Sequence, residues 1–364
     1  MQREGQAPFR GAQVFRWVHR HGTVDFSQMS NLSLQLRERL AQLPFAFPLE
    51  VVDVRRASDG TRKLLCKLDS GELVECVVIP MTRDAQDEDD GETEGDEPAE
   101  PAMTTTRQRV TLCISTQVGC AMGCVFCASG KSGLKRGLKA HEIIAQVLLA
   151  RRYLDEGEWL RNIVFMGMGE PLHHYDETAL AIRLITEPEG ISISPRRITV
   201  STVGLIPGIA RLARDFQGKL GLAISLHAPN DAIRSRIVPM NERFPIGELI
   251  AALRRYPLPN RRRITIEYTL IDQVNDQPEH ARELVRLLRG LRVKVNLIPM
   301  NSIIDSTMRA AAEQAVARFA GILAESRVSC SVRKQRGDDV AAACGQLALT
   351  PASALLRREV SAGQ

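Results

Sequence analysis

From Val110 to Val332 the chain repeats one pattern: a short run rich in β-branched residues, a turn, then an amphipathic stretch. Strands are predicted at Val110–Ser115, Asn162–Met166, Arg197–Ser201, Gly221–Ser225, Arg263–Tyr268, Val293–Ile298 and Arg327–Val332. Helices are predicted between most of them, at His141–Leu154, Tyr175–Ile185, Ile246–Arg255, Pro278–Leu288 and Met308–Leu323. Parallel strands need a crossover of a dozen or so residues, which a helix supplies, so this alternation specifies an α/β fold with a parallel sheet. Six or seven units suit an open or partial barrel better than a closed eight-stranded one. Chemistry is then expected at the carboxyl ends of the strands.

The preceding residues follow other rules. Over 1–50, one helical pattern includes Phe15-Arg16-Trp17-Val18, stops at His21-Gly22, and is followed by a second from Leu32 to Leu43. This predicts a small helical accessory domain. Over 51–82, Lys63–Leu68 and Leu73–Ile79 flank Asp69-Ser70-Gly71-Glu72, which is a β-hairpin signal. Over 83–106, the stretch Asp84–Pro101 holds ten acidic groups and no Lys or Arg. Like charges with little apolar area to bury predict a disordered linker. A core over 107–347 and a flexible tail over 348–364 complete the division. The formal net charge of +5 therefore leaves +15 outside the acidic stretch. Clusters such as Arg196-Arg197, Arg254-Arg255 and Arg261-Arg262-Arg263 predict basic surfaces suited to phosphate backbones. No stretch has the length and apolarity of a membrane span, and the amino terminus is too polar for a signal peptide. A cytoplasmic protein without a membrane partner is expected.

Eight cysteines in a chain this long do not call for a disulfide framework. Three of them form Cys120-Ala-Met-Gly-Cys124-Val-Phe-Cys127, on a loop just after a predicted strand. Three thiolates can hold three corners of an iron–sulfur cubane and leave the fourth iron open, whereas a structural zinc would require a fourth ligand from another Cys or His. The spacing, with an aromatic residue before the last Cys, resembles that of the radical S-adenosylmethionine enzymes. The resemblance implies one 4Fe-4S cluster whose open iron chelates the amino and carboxylate groups of S-adenosylmethionine. Candidate contacts to that molecule end successive strands: Gly169 and Glu170 in Gly-Met-Gly-Glu-Pro, Ser201, Ser225-Leu226-His227, and Asn301. Each has a plain alternative (Gly169 as a turn, Ser201 as a helix cap), and their common position at one end of the sheet is what joins them.

Several longer segments resemble one family. They are Cys113-Ile-Ser-Thr-Gln-Val-Gly-Cys120, the cysteine loop, Gly167-Met-Gly-Glu-Pro-Leu172, Ser225-Leu-His-Ala-Pro-Asn-Asp231 and Arg336-Gly-Asp-Asp-Val-Ala-Ala-Ala-Cys344-Gly-Gln-Leu347. The family is the dual-specificity RNA adenine-C2 methyltransferases, RlmN, and the resemblance runs from Pro8-Phe9-Arg10 to Leu347. It implies a six-stranded partial barrel with the amino-terminal helices as an RNA-binding accessory. The implied substrates are an adenine at the peptidyl-transferase centre of 23S rRNA and adenine 37 of certain tRNAs. It also implies a low-potential electron donor such as flavodoxin or ferredoxin, and a monomer. The sequence departs from the family pattern in the acidic stretch and in Ser302-Ile-Ile-Asp after Asn301.

By the same resemblance, Cys120, Cys124 and Cys127 are metal ligands, Cys344 carries the methyl group, Cys113 is its disulfide partner, and Glu75 is the proton acceptor. Carbon 2 of adenine is electron-poor and its hydrogen is not acidic, so a polar methyl transfer has no nucleophile there. The implied route uses two S-adenosylmethionine molecules per turnover. One methylates Cys344; the other is split to a radical that activates the S-methyl group for addition to adenine. Cys113 and a base then release the product. Read without the family, Cys113 is a buried strand cysteine, Glu75 a solvated strand carboxylate and Cys344 part of a flexible tail. Cys66, Cys76 and Cys330 read as core. Two alternatives stay open: a Cfr-type enzyme acting on carbon 8, and a zinc-containing RNA-binding protein without catalysis.

Overall fold

The computed structural model describes residues 7–43, 47–81, 108–301, 308–333 and 336–347. The acidic stretch, the tail over 348–364 and Ser302-Ile-Ile-Asp lie outside them. The helical attachment is built from helices Pro8–His19 and Leu34–Ala41. Met29, Leu32, Leu36 and Leu40 form its own small core, with Val14, Trp17 and Phe26 packed against them.

Three antiparallel strands follow, β1 (Leu49–Arg56), β2 (Arg62–Leu68) and β3 (Leu73–Pro80). The expected hairpin is therefore the inner pair of a three-stranded unit. β1 alternates apolar and charged side chains, Val51, Asp53, Val54 and Arg55 among them, as an edge strand with one wet face does. This unit is continuous with the main sheet, because β3 pairs antiparallel with β4 (Gln108–Cys113). A separate two-stranded sheet joins β5 (Gln117–Gly119) to β6 (Leu134–Gly137) around the cysteine loop.

From β4 onward the main sheet is parallel. It runs through β7 (Glu158–Phe165), β8 (Ile198–Thr202), β9 (Gly221–Ser225), β10 (Ile264–Leu270), β11 (Val293–Pro299) and β12 (Cys330–Val332). The order β1-β2-β3-β4-β7-β8-β9-β10-β11-β12 follows the chain, so each crossover moves one strand along. Among the described residues seven parallel strands are present where the resemblance gives six; the seventh is three residues long. Its position at the edge also leaves Cys330 half-exposed, unlike Cys66 and Cys76, which are fully buried.

The central strands are buried on both faces and accordingly read as unbroken apolar runs, as in Leu222-Ala223-Ile224. Helices supply the outer layer. Pro278–Leu288 starts at a proline, whose fixed φ suits a first turn, and buries Ala281, Leu284 and Leu288 from one stripe. Ile206–Phe216 adds a helix between β8 and β9. The helix predicted from Met308 begins at Glu313 instead, since Ala310 bridges to Ile271 and holds the chain extended. Among the described residues no helix is long and apolar enough to cross a membrane.

Candidate active site

One cavity opens at the carboxyl ends of the parallel strands, where the fold leaves backbone groups and loop side chains unused by the sheet. Cys120, Cys124 and Cys127 line it, on the loop between β5 and β6. The loop is pinned at its base: the Cys120 amide donates to the Gly133 carbonyl (3.0 Å), and that of Val125 to Ile237 (3.1 Å). Gly119 is required there, because its φ is +78° and a Cβ would sit 1.8 Å from the Gly133 oxygen. Burial pushes the Cys120 thiol up to about 12 and raises Cys124 and Cys127 as well; Cys127 adds to the shift at Cys120, Cys127 and Cys120 to that at Cys124, and Cys344 to that at Cys127. Two buried thiols and a half-buried third, all disfavoured as anions here, form a donor set that cationic iron would satisfy. Among the described residues no three His, Cys, Asp or Glu groups converge tightly enough for a single metal ion. Thiols ringing a cavity in this way suit ligation of separate irons, so the residues fit a cluster.

The strand-end residues surround the same space. Gly169, with φ +105°, lies so close to Gln117 that a Cβ would approach its side chain to 2.6 Å. The Gln117 Oε1 accepts from the Glu170 amide (2.9 Å) and fixes this turn. Glu170 is buried, and its carboxylate accepts from the amides of Leu172 (3.0 Å) and Val203 (2.9 Å). Burial still pushes it up to about 7, as expected of an anion awaiting a positive partner. Ser201, Ser225 and His227 line the cavity; Leu226 does not, its side chain packing instead in the main core. His227 Nδ1 accepts from the Thr269 amide (3.0 Å), and its ring meets Phe126 edge-on at 4.7 Å. Burial, aided by Arg234, pushes this imidazole down to about 3 and keeps it neutral.

Cys113 ends β4 and Cys344 lies far along the chain, yet both line one adjoining pocket with Met166, Ile298 and Asn301. Cys344 also lines the cavity of the three-thiol loop. Both thiols are free. Burial, reinforced by Cys344, pushes the Cys113 thiol up to about 12, and Arg333 pulls it back down. The Arg333 Nη1 donates to Cys344 Sγ (2.9 Å), while Asn301 Nδ2 donates to the Cys344 carbonyl (2.8 Å). The Arg333 cation is favoured first by Cys344, then by Glu267, a buried carboxylate that accepts from Asn296 Nδ2 (2.9 Å).

Glu75 stands apart from this lining. It lies opposite Leu65 of β2, buried, with Lys63 Nζ 3.2 Å from Oε1 and no hydrogen-bond partner for Oε2 among the described residues. Burial raises its carboxyl and Lys63 opposes that shift. Lys63 Nζ also donates to the Ala341 carbonyl (3.0 Å), so it joins Glu75 to the segment that bears Cys344. Arg333, Glu267, Lys63 and Gln117 were not evident as site residues. Of these, Gln117 lies inside the segment Cys113-Ile-Ser-Thr-Gln-Val-Gly-Cys120, and Glu267 is an acid inside the apolar run Ile264-Thr-Ile-Glu-Tyr268; Arg333 and Lys63 carried no such signal.

The chain matches the family model described as the Radical SAM superfamily over residues 114–287. It also matches the Ribosomal RNA large subunit methyltransferase N-terminal domain over 1–45. It is 54% identical to a dual-specificity RNA methyltransferase RlmN of Sorangium cellulosum, covering 97% of this chain and 93% of that protein. The corresponding protein of Marinobacter nauticus is 45% identical, with 94% and 87% covered. A crystal structure of a radical SAM methyltransferase from Sphaerobacter thermophilus superposes with a TM-score of 0.84 at 44% identity, covering 96% and 95% of the two chains. With three cysteines ringing a cavity at the strand ends and relatives of this similarity along nearly its whole length, the chain belongs to the RlmN family of radical SAM methyltransferases.

Proposed function

We propose that this chain methylates carbon 2 of an adenine in 23S rRNA and in tRNA, with Cys344 as the intermediate methyl carrier. Membership of the radical SAM superfamily brings S-adenosylmethionine and a 4Fe-4S cluster. Cys120, Cys124 and Cys127 would hold the cluster; Gly169, Glu170, Ser201, the Ser225–His227 turn and Asn301 would hold S-adenosylmethionine. At Leu226 only the backbone is available for that purpose, since its side chain is in the core. When bound, the two groups supply the one-electron chemistry that breaks a carbon–hydrogen bond no side chain could break.

The rest falls to the chain itself. The Cys344 thiolate accepts a methyl group by displacement, with Arg333 offsetting its charge and Asn301 holding its backbone. Once RNA is joined to the Cys344 sulfur through that carbon, Glu75 takes the proton from carbon 2, the Cys113 thiolate attacks the sulfur, and a Cys113–Cys344 disulfide forms as the sulfur–carbon bond breaks. The freed carbon takes up a proton to become the methyl group, and external reductant returns the disulfide to two thiols. Glu75 is buried against Lys63, so access to it requires the Cys344 segment to shift. Two S-adenosylmethionine molecules are consumed per turnover, a low-potential flavodoxin or ferredoxin supplies electrons, and the chain acts as a cytoplasmic monomer. Binding of RNA draws on the helical attachment and on arginine clusters.

The observation that carries this reading is the pocket shared by two free thiols, Cys113 and Cys344, beside the three-thiol loop. A zinc module has no use for that pair. The test is the Cys113→Ala protein, incubated anaerobically with RNA, S-adenosylmethionine and a reductant, then run on a denaturing gel. It should stall as an RNA–protein adduct that disappears when Cys344 is also replaced. Normal multiple turnover by the single variant would rule out Cys113 as the releasing thiol. Nucleoside chromatography decides the position: 2-methyladenine supports the proposal, and 8-methyladenine would assign the Cfr-type reaction instead.

A further inference from the structure

Of the segment Arg336-Gly-Asp-Asp-Val-Ala-Ala-Ala-Cys344, the proposed chemistry uses only the last residue. The residues before it meet the three-stranded unit β1–β3 at four points. The Gly337 amide donates to Asp59 Oδ2 (3.2 Å), the Ser58 amide donates to Asp339 Oδ2 (2.9 Å), and Lys63 Nζ donates to the Ala341 carbonyl (3.0 Å). Arg336 Nη1 donates to the carbonyl of Pro80, the last residue of β3 (2.9 Å). Ser58 and Asp59 lie in the turn between β1 and β2, and Lys63 lies in β2.

That turn holds its shape by its own bonds. The Gly60 amide donates to the Ala57 carbonyl (3.1 Å), the Ala57 amide to the Thr61 carbonyl (2.8 Å), and the Thr61 amide to Asp59 Oδ1 (2.9 Å). The two oxygens of Asp59 therefore have separate tasks: one shapes the turn and the other holds Gly337. The fit is close on the segment's side as well. Gly337 has φ +65°, and a Cβ there would lie 2.9 Å from Thr61 Cγ2. The Gly337 carbonyl accepts from the Ala342 amide (2.8 Å), which curls the segment just before Cys344 enters its cavity. Beyond the thiol, the Ala128 amide donates to the Gly345 carbonyl (2.8 Å), so the barrel takes hold where the three-stranded unit ends its contacts.

We infer that the β1–β2 turn is the seat of the segment that carries Cys344, with Asp59 and Asp339 as positioning residues that set where this thiol stands when it takes up a methyl group. The inference rests on Cys344 being the methyl carrier. One unit then relates the groups that act on the carrier: β3 bears Glu75 and pairs its Val77 with Cys113 of β4, while the turn at the other end of β2 seats the carrier segment. A segment referred to paired strands keeps its place better than a free loop, and misplacing a reacting atom by about 1 Å can cost about 100-fold in rate.

The experiment uses the complete protein with Asp59→Ala or Asp339→Ala, each read by residue-resolved amide hydrogen exchange and by methyl loading. The amides of Ala342, Ala343 and Gln346 bond to acceptors within the segment itself, so neither substitution removes their partners. These amides should exchange at least about fivefold faster in each variant, the effect of one lost hydrogen bond, while those of β7 to β11 keep their rates. Loading of Cys344, read in a single turnover as added methyl mass on its peptide, should slow by at least about fivefold. Iron content and affinity for S-adenosylmethionine should stay within about twofold, since neither aspartate lines the cavity. Asp339→Asn keeps an acceptor for the Ser58 amide and should restore both exchange and loading. Unchanged exchange at the three amides overturns the inference, as does loading at the parent rate in a segment that exchanges faster. Equal defects in Asp339→Asn and Asp339→Ala also overturn it, because the seat is a hydrogen bond and not a charge. If the unaltered protein loads no methyl group on Cys344 while exchange responds as expected, the proposed function fails and the seat stands.

Discussion

Glu170 and His227 face one cavity and are both buried, yet burial drives them in opposite directions because one is an acid and the other a base. The signs give distinct pH dependences. His227 titrates near 6.5 when unfolded and about 3 when folded, so the unfolded chain binds more protons between those values. Its contribution to stability is complete above 6.5 and declines as pH falls towards 3. Glu170 titrates near 4.5 unfolded and about 7 folded, so its contribution is complete below 4.5 and is lost as pH rises through 7. In protein without cluster or S-adenosylmethionine, melting temperature against pH should show both slopes. His227→Gln should flatten the acid limb and Glu170→Gln the neutral one; an unchanged profile in either variant would contradict the assigned environment. Most site residues were legible individually, since Glu170, His227 and the three cysteines stand at strand ends that the sequence pattern marks. Their partners were not. Arg333 contacts Cys344 only because the segment after β12 folds back, which no local pattern encodes.

At the scale of elements, β-branched runs and intervening turns located the seven parallel strands among the described residues; for the central ones this is because a strand buried on both faces has no polar alternative to its composition. β1 escaped because alternate charges on an edge strand look like a solvated loop, and the helix Ile206–Phe216 carries a proline and a glycine in its first turn. The β5–β6 sheet was hidden by its length, three and four residues, although it fixes the cysteine loop. Gly119→Ala tests that role. The left-handed backbone alone costs about 1–2 kcal/mol, and the clash with the Gly133 oxygen forces the two strands apart. Iron content after anaerobic reconstitution should fall below about half, with the main sheet intact by circular dichroism, because the backbone strain falls on the small sheet alone. Full iron loading would show that the loop holds its shape without this hairpin.

Across the whole molecule, one buried ion pair links strands near the beginning to the segment near residue 341. Lys63 and Glu75 are 3% and 2% exposed, and Lys63 alone also reaches the Ala341 carbonyl. Removing one member of such a pair leaves the other charge buried, at a cost of about 3–5 kcal/mol. Lys63→Met should therefore lower the urea midpoint sharply, and adding Glu75→Leu should recover much of the loss. If the single variant is as stable as the parent, the pair is not desolvated as described. The helical attachment is joined differently. Its Met29, Leu32, Leu36 and Leu40 core is distinct from that of the sheet, but Val18 packs against both and Phe15 lies against Gly190, beside polar links that include Arg16 with Glu189, Arg151 with the His19 carbonyl and Arg152 with the Gly22 carbonyl. Contacts of this polar kind weaken with salt and exchange readily with water. The smaller unit has the smaller core, so it is expected to loosen while the larger keeps its hydrogen-bond ladder closed. Amide protons of the helices Pro8–His19 and Leu34–Ala41 should then exchange with solvent through small openings, and those of β7 to β11 only through global unfolding.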